Sequence, residues 1–149
     1  MKPKPDLAQA ARQVREIYDE WQARPSERQC PALADCCRFK LTGRTPYLTR
    51  GEAWVAARAW RAAGRKELAL PADGSCPMLH PHTGRCGIYA GRPFGCRTHF
   101  CAAAGGSPAR HEVRALIQRL EDIDTRLGGS GAINLPTAVS AALGWRASG

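Results

Sequence analysis

No stretch of this chain approaches the ~20 consecutive apolar residues that a bilayer-spanning helix needs, so no membrane span is expected. Also missing is the apolar run of a secretory signal. The opening MKPKPDLAQAARQVREIYDEW is basic at first and then turns amphipathic and charged. The expectation is a cytoplasmic protein in a reducing compartment, where persistent disulfides are rare. Large apolar side chains are scarce as well. Alanine (25) and cysteine (7) make up about half of the hydrophobic residues and leave 33 bulkier ones to fill a core. A metal cross-link would add stability where packing is this sparse, since a structural zinc site contributes an apparent ~10–16 kcal/mol to folding. Acidic residues are absent between Asp73 and Glu112 and again between Asp35 and Glu52. Arg85, Arg92, Arg97 and Arg110 stand unopposed in the first interval, and Arg38, Lys40, Arg44 and Arg50 in the second. No HExxH, P-loop or GxGxxG is found, and no pair of carboxylates flanks the cysteines; Glu52 and Asp73 read as cap or turn residues. No repeat of solenoid period is visible.

The 149 residues suit one domain. Four helical segments carry apolar residues at spacings of three and four. The first runs from about Leu7 to Trp21 behind an Asp6 N-cap, with Leu7, Ala10, Val14, Ile17 and Trp21 on one face. A capping box of Thr49 and Glu52 opens the second, which carries Ala53, Ala56, Trp60 and Ala63 and stops at Gly64. The third is bounded by Ser107, Pro108 and Gly128. Its stripe is Val113, Leu116, Ile117, Leu120, Ile123 and Leu127, opposite a charged face with Asp122 and Arg126. A short fourth helix starts at Pro136, after Leu135, and ends near Leu143. The expected fold is mainly α: a small single domain, 1–149, in which about four helices frame irregular cysteine-rich loops. Within it lie a cysteine-cluster region at 30–101 and a C-terminal helical segment at 107–149.

All seven cysteines fall in two stretches that periodicity does not explain, residues 29–48 and 74–101. Neither reads as a regular strand or helix. A structureless loop of 28 residues inside a compact domain is improbable unless something orders it. The spacing is Cys30-x5-Cys36-Cys37, then Cys76-x9-Cys86-x9-Cys96-x4-Cys101. Thiolates are soft donors that suit zinc and iron, so these seven are the candidate metal ligands. A single such cysteine would more often be a small buried hydrophobe, but seven confined to two loops favour ligation. The adjacent Cys36 and Cys37 would point to opposite sides of an extended segment, so they could serve different centres. His80, His82 and His99 are candidate extra ligands, whereas His111 reads as an ordinary helical residue. Seven thiolates and one imidazole would make two four-coordinate sites; one mononuclear site or one cluster with spare cysteines is the simpler alternative. Nearby arginines would lower thiol pKa values and balance the anionic centre, or else simply form a solvated basic face.

The CC doublet followed by Arg38-Phe39, and then the run CPMLHPHTGRCGIYAGRPFGCR, resemble the YkgJ-type cysteine-cluster family, known by its CxxCxxCC motif. The matching features are Cys76, the Cys86-Gly87-Ile88-Tyr89 segment, and Arg92-Pro93 followed by Cys96-Arg97, within about residues 30–101. The resemblance implies zinc or iron chelation, an iron–sulfur cluster being one form of it, and structural roles for Tyr89, Arg92, Pro93 and Arg97. The family pattern would place a cysteine where this chain has Leu33. A site that uses that donor elsewhere must here lose it, recruit a histidine or use another set.

Three functional readings follow. The first is a metal-binding protein whose zinc or iron has a structural or redox role. The second is a metal- or cluster-dependent modifying enzyme, since the cysteine domain is shared with flagellin lysine methylases; no catalytic constellation supports it. The third is a basic nucleic-acid-binding protein, which the net charge of +9 and pI near 9.7 permit. Against that last reading, the spacings match no C2H2 finger and the few aromatics are not interleaved with basic residues as stacking platforms.

Overall fold

A computed structural model of the chain describes residues 6–23, 46–69, 76–78, 87–88, 91–94, 96 and 110–145. Helix α1, Leu7–Gln22, begins where expected: the Asp6 side chain accepts the Gln9 N–H at 2.9 Å. It buries Ala10, Ala11, Val14, Ile17 and Tyr18 along one side. After strand β1, Tyr47–Leu48, comes helix α2, Arg50–Ala62. Helix α3, Arg110–Arg126, leads through strand β2, Ile133–Asn134, into helix α4, Leu135–Leu143. Among the described residues the fold is therefore mainly helical, a small single domain with four helices and one two-stranded antiparallel ladder. In that ladder Tyr47 pairs with Asn134 and Leu48 with Ile133.

α2 is the central element. Eight of its 13 residues are buried, including the Gly51-to-Ala57 run, so more than one face is covered and it packs on both sides. Toward α4 it turns Ala53, Ala56, Ala57 and Trp60, which cluster with Leu48, Leu135, Ala138 and Val139. Toward α1 and α3 it turns Trp54 and Val55, which cluster with Val14, Ile17, Tyr18, Leu116, Leu120 and Ile123. The alanines that look like a poor core in composition thus let helices approach closely. Gly51 marks the tightest crossing. A Cβ there would lie 2.8 Å from Val14 Cγ2 of α1 and 3.0 Å from Ile123 Cγ2 of α3.

Two carboxylates serve the N-terminal end of α2, where N–H groups have no partner within the helix. Glu52 accepts the Thr49 N–H at 3.0 Å and also takes the Thr49 hydroxyl at 3.0 Å. From α3, the buried Asp124 accepts the Arg50 N–H at 2.7 Å with Oδ1 and the Gly131 N–H at 2.9 Å with Oδ2. α3 ends as expected at Gly128, whose φ of +82° suits glycine. The Gly129 N–H then closes onto the Asp124 carbonyl at 2.8 Å. The expected start of that helix at Ser107 and Pro108 lies outside the described residues. Two details differ from expectation. Ile117 is 38% exposed rather than part of the buried stripe, because that stripe is narrower than the apolar pattern. α4 starts one residue earlier than expected, behind an Asn134 side chain that accepts the Thr137 N–H at 3.0 Å.

Candidate metal centre

The described residues of the second cysteine stretch meet α2 at three points. Gly87, next in the chain after Cys86, packs against Trp60: a Cβ on Gly87 would sit 3.0 Å from the Trp60 ring and 2.9 Å from the Met78 carbonyl. The Gly87 N–H donates to that same carbonyl at 2.8 Å, which ties the segment after Cys76 to the segment after Cys86. Gly91 meets the helix nearer its middle, where a Cβ would come 2.9 Å from Ala59 Cβ and 3.6 Å from the Val55 carbonyl. Phe94 meets it at Glu52, whose Oε1 accepts the Phe94 N–H at 2.8 Å. Gly87, Gly91 and Phe94 therefore meet α2 in turn from its C-terminal end to its first turn. Two glycines without room for a side chain make that approach close enough.

Each anchor is buried. Phe94 is 3% exposed, belongs to the cluster of α1 and α3 residues, and meets the Trp21 ring edge-on with centroids 5.9 Å apart. Pro93 is fully buried and its carbonyl accepts the Cys96 N–H at 3.1 Å, a tight turn that sets the backbone at that cysteine. Ile88 accepts the Gly91 N–H through its carbonyl at 2.7 Å. Arg92 is half-buried. Tyr89 and Arg97, also expected to be structural, lie outside the described residues.

Glu52, whose Oε1 holds the Phe94 N–H, is 3% exposed. Burial pushes its carboxyl above the ordinary value of 4.5; the bonds from Thr49, Phe94 and Tyr18 oppose that shift without cancelling it. The Tyr18 hydroxyl donates to Oε1 from α1 at 3.4 Å. One side chain thus joins α1, the start of α2 and the loop that leads to Cys96. From the sequence Glu52 reads as a cap or turn residue, and nothing local signals the contact with Phe94, 42 residues away.

Of the candidate ligands, Cys76 and Cys96 are described. Cys76 is 4% exposed and packs with Met78, Ile88 and Trp60, while Cys96 is half-buried. Cys30, Cys36, Cys37, Cys86 and Cys101, and His80, His82 and His99, lie outside the described residues, as does Leu33. His111 is exposed on α3, in keeping with an ordinary helical residue. Among the described residues no three His, Cys, Asp or Glu side chains are grouped as a metal ion would need, and no helix is long and apolar enough to cross a membrane. Beside the loop, an open cleft of about 350 Å³ lies between α1 and α2, lined by Arg15, Tyr18, Asp19, Val55, Ala59 and Gly91 among others.

Compared with known families, residues 27–115 match the sequence model of CxxCxxCC, described as a putative zinc- or iron-chelating domain. That span is more than half of the 149-residue chain. The chain belongs to the CxxCxxCC family. No curated protein and no solved structure matches it significantly. The CxxCxxCC span takes in both cysteine stretches and all of α2, the helix that Gly87, Gly91 and Phe94 meet. The described donors fit a zinc or iron ion in kind. Cys76 and Cys96 offer soft sulfur, and each is set beside a loop segment fixed by backbone hydrogen bonds.

Proposed function

We propose that this chain is a cytoplasmic zinc- or iron-chelating protein. Its ligands are drawn from Cys30, Cys36, Cys37, Cys76, Cys86, Cys96 and Cys101, with His80, His82 or His99 able to complete a site. The family membership supports chelation. The observation that carries the reading is the docking of the second cysteine stretch on α2 through Gly87, Gly91 and Phe94. Chelation needs donors held at fixed positions, and contacts with one helix at three points hold the backbone near Cys76 and Cys96 in the way such a site requires.

When bound, zinc would cross-link the loops without redox chemistry, whereas an iron–sulfur cluster would also carry electrons. The protein's own contribution is positional. Met78 and Gly87 hold the backbone after two of the cysteines, Pro93 fixes the turn before Cys96, and Phe94 anchors that turn in the core. The basic residues of the loops would offset the anionic charge of gathered thiolates.

Purification without oxygen, followed by metal analysis and absorption spectroscopy, tests this function. The expected result is stoichiometric zinc or iron that is lost from cysteine-to-serine variants. A folded wild-type protein that takes up neither ion when each is titrated in would overturn it.

A further inference from the structure

We propose that Glu52 is a positioning residue for the metal centre: by accepting the Phe94 N–H on one oxygen while Thr49 fixes the other, it sets the backbone that leads to Cys96. This rests on the metal-chelating reading above.

The reasoning starts from the number of acceptors. A capping box works with either Glu or Gln at its third helical position, because one oxygen suffices to accept the N-cap N–H. At α2 that task falls to Oε2, which takes the Thr49 N–H at 3.0 Å. The second oxygen, Oε1, is left over from capping and accepts the Phe94 N–H at 2.8 Å, 42 residues away in the chain. Two backbone donors thus converge on two different oxygens of one side chain. Only a carboxylate can satisfy both. A glutamine would aim its own NH₂ at one of them, leaving a buried donor facing a donor.

Cost points the same way. A carboxyl group 3% exposed is an expensive means of capping a helix that Asp124 already serves at the next N–H. The burial has a purpose if the loop contact is what needs the second oxygen. The contact is also well placed to act on a ligand. Phe94 is clamped by Glu52 at its N–H and by Trp21 and the core at its ring. One turn later the Cys96 N–H closes on Pro93 at 3.1 Å. A shift of the Phe94 backbone would therefore be passed directly to Cys96. Hydrogen bonds behind metal ligands act in this way, and their loss typically weakens metal binding about 10–100-fold.

The test compares the reduced wild type with Glu52→Gln and Asp6→Ala, using zinc and competition with a chromophoric chelator. Asp6→Ala removes the acceptor of the Gln9 N–H at the start of α1 and touches neither Glu52, Thr49 nor Phe94, so it reports a weakened helix cap alone. Expected is zinc affinity about 10–100-fold lower for Glu52→Gln, with Asp6→Ala keeping the wild-type affinity. Equal affinity in Glu52→Gln and wild type would overturn the positioning role while leaving chelation standing. A wild type that takes up no zinc or iron would instead remove the reading on which it rests. Should Glu52→Gln fail to fold, amide hydrogen exchange on the wild type decides. Coupling is reciprocal, so zinc must slow exchange at the Thr49 N–H, on the far oxygen of Glu52, by more than it slows the amides of α4. No such excess at Thr49 would overturn the proposal.

Discussion

Replacing Gly91 by alanine should push the cysteine loop away from α2, and the same structure says how to undo it. The new Cβ would lie 2.9 Å from Ala59 Cβ, closer than two such carbons can sit, whereas the next neighbour, the Val55 carbonyl at 3.6 Å, makes an ordinary contact. Both clashing atoms are the first carbons of their side chains, so neither can rotate out of the way. Overpacking of this kind costs about 1–3 kcal/mol. Ala59→Gly removes the obstructing carbon and by itself costs about 1 kcal/mol, because glycine is a poor residue within a helix. Were the two positions independent, the double variant would lose roughly 2–4 kcal/mol, the sum of the two. With the clash as described, removing Ala59 Cβ relieves the strain, and the double variant should be about 1–2 kcal/mol more stable than that sum. Urea denaturation followed by circular dichroism on all four proteins measures the coupling. Additivity to within about 0.5 kcal/mol would refute the close approach of the loop to α2.

Further outcomes follow from the carboxylates at the start of α2. Glu52 holds its proton more tightly in the fold than at its ordinary value of 4.5, so the native state carries the extra proton between the two values. Its contribution to stability is complete below 4.5 and is lost as pH rises through the raised native value. Metal-free wild type should therefore lose stability with rising pH over that window in denaturant titrations, and Glu52→Gln should lose less; equal slopes would contradict the assignment. Asp124→Ala leaves the Arg50 and Gly131 N–H groups without their acceptor. It should destabilise the protein by about 2–4 kcal/mol, which a lowered midpoint in thermal unfolding would register.

Signals that act within one turn of chain were legible in the sequence. Asp6 before Leu7, Thr49 with Glu52, and Gly128 after α3 each mark a helix end by chemistry confined to a few neighbours, and each sits where expected. The β1–β2 ladder was not legible. It pairs two residues with two that lie 85 and 87 positions further along the chain, too short for any alternation to show. Asp124 was also missed, because a carboxylate in a helical pattern reads as surface until the N-terminus of another helix is packed against it. The same holds for the second role of Glu52. At the centre itself, the cysteine spacing pointed to chelation, but the close approach of Gly87 and Gly91 to their neighbours lies in what glycine lacks. Gly87 and Gly91 matter through the nearness of Trp60, Met78 and Ala59, none of which is close in sequence to either except Met78.

X-ray absorption at the metal edge, on protein purified without oxygen, tests the central claim most directly. The account predicts a zinc or iron shell dominated by sulfur, at about 2.3 Å for zinc, that loses sulfur when Cys76 or Cys96 is replaced by serine. A shell of oxygen and nitrogen alone, or one unchanged in every cysteine variant, would contradict it.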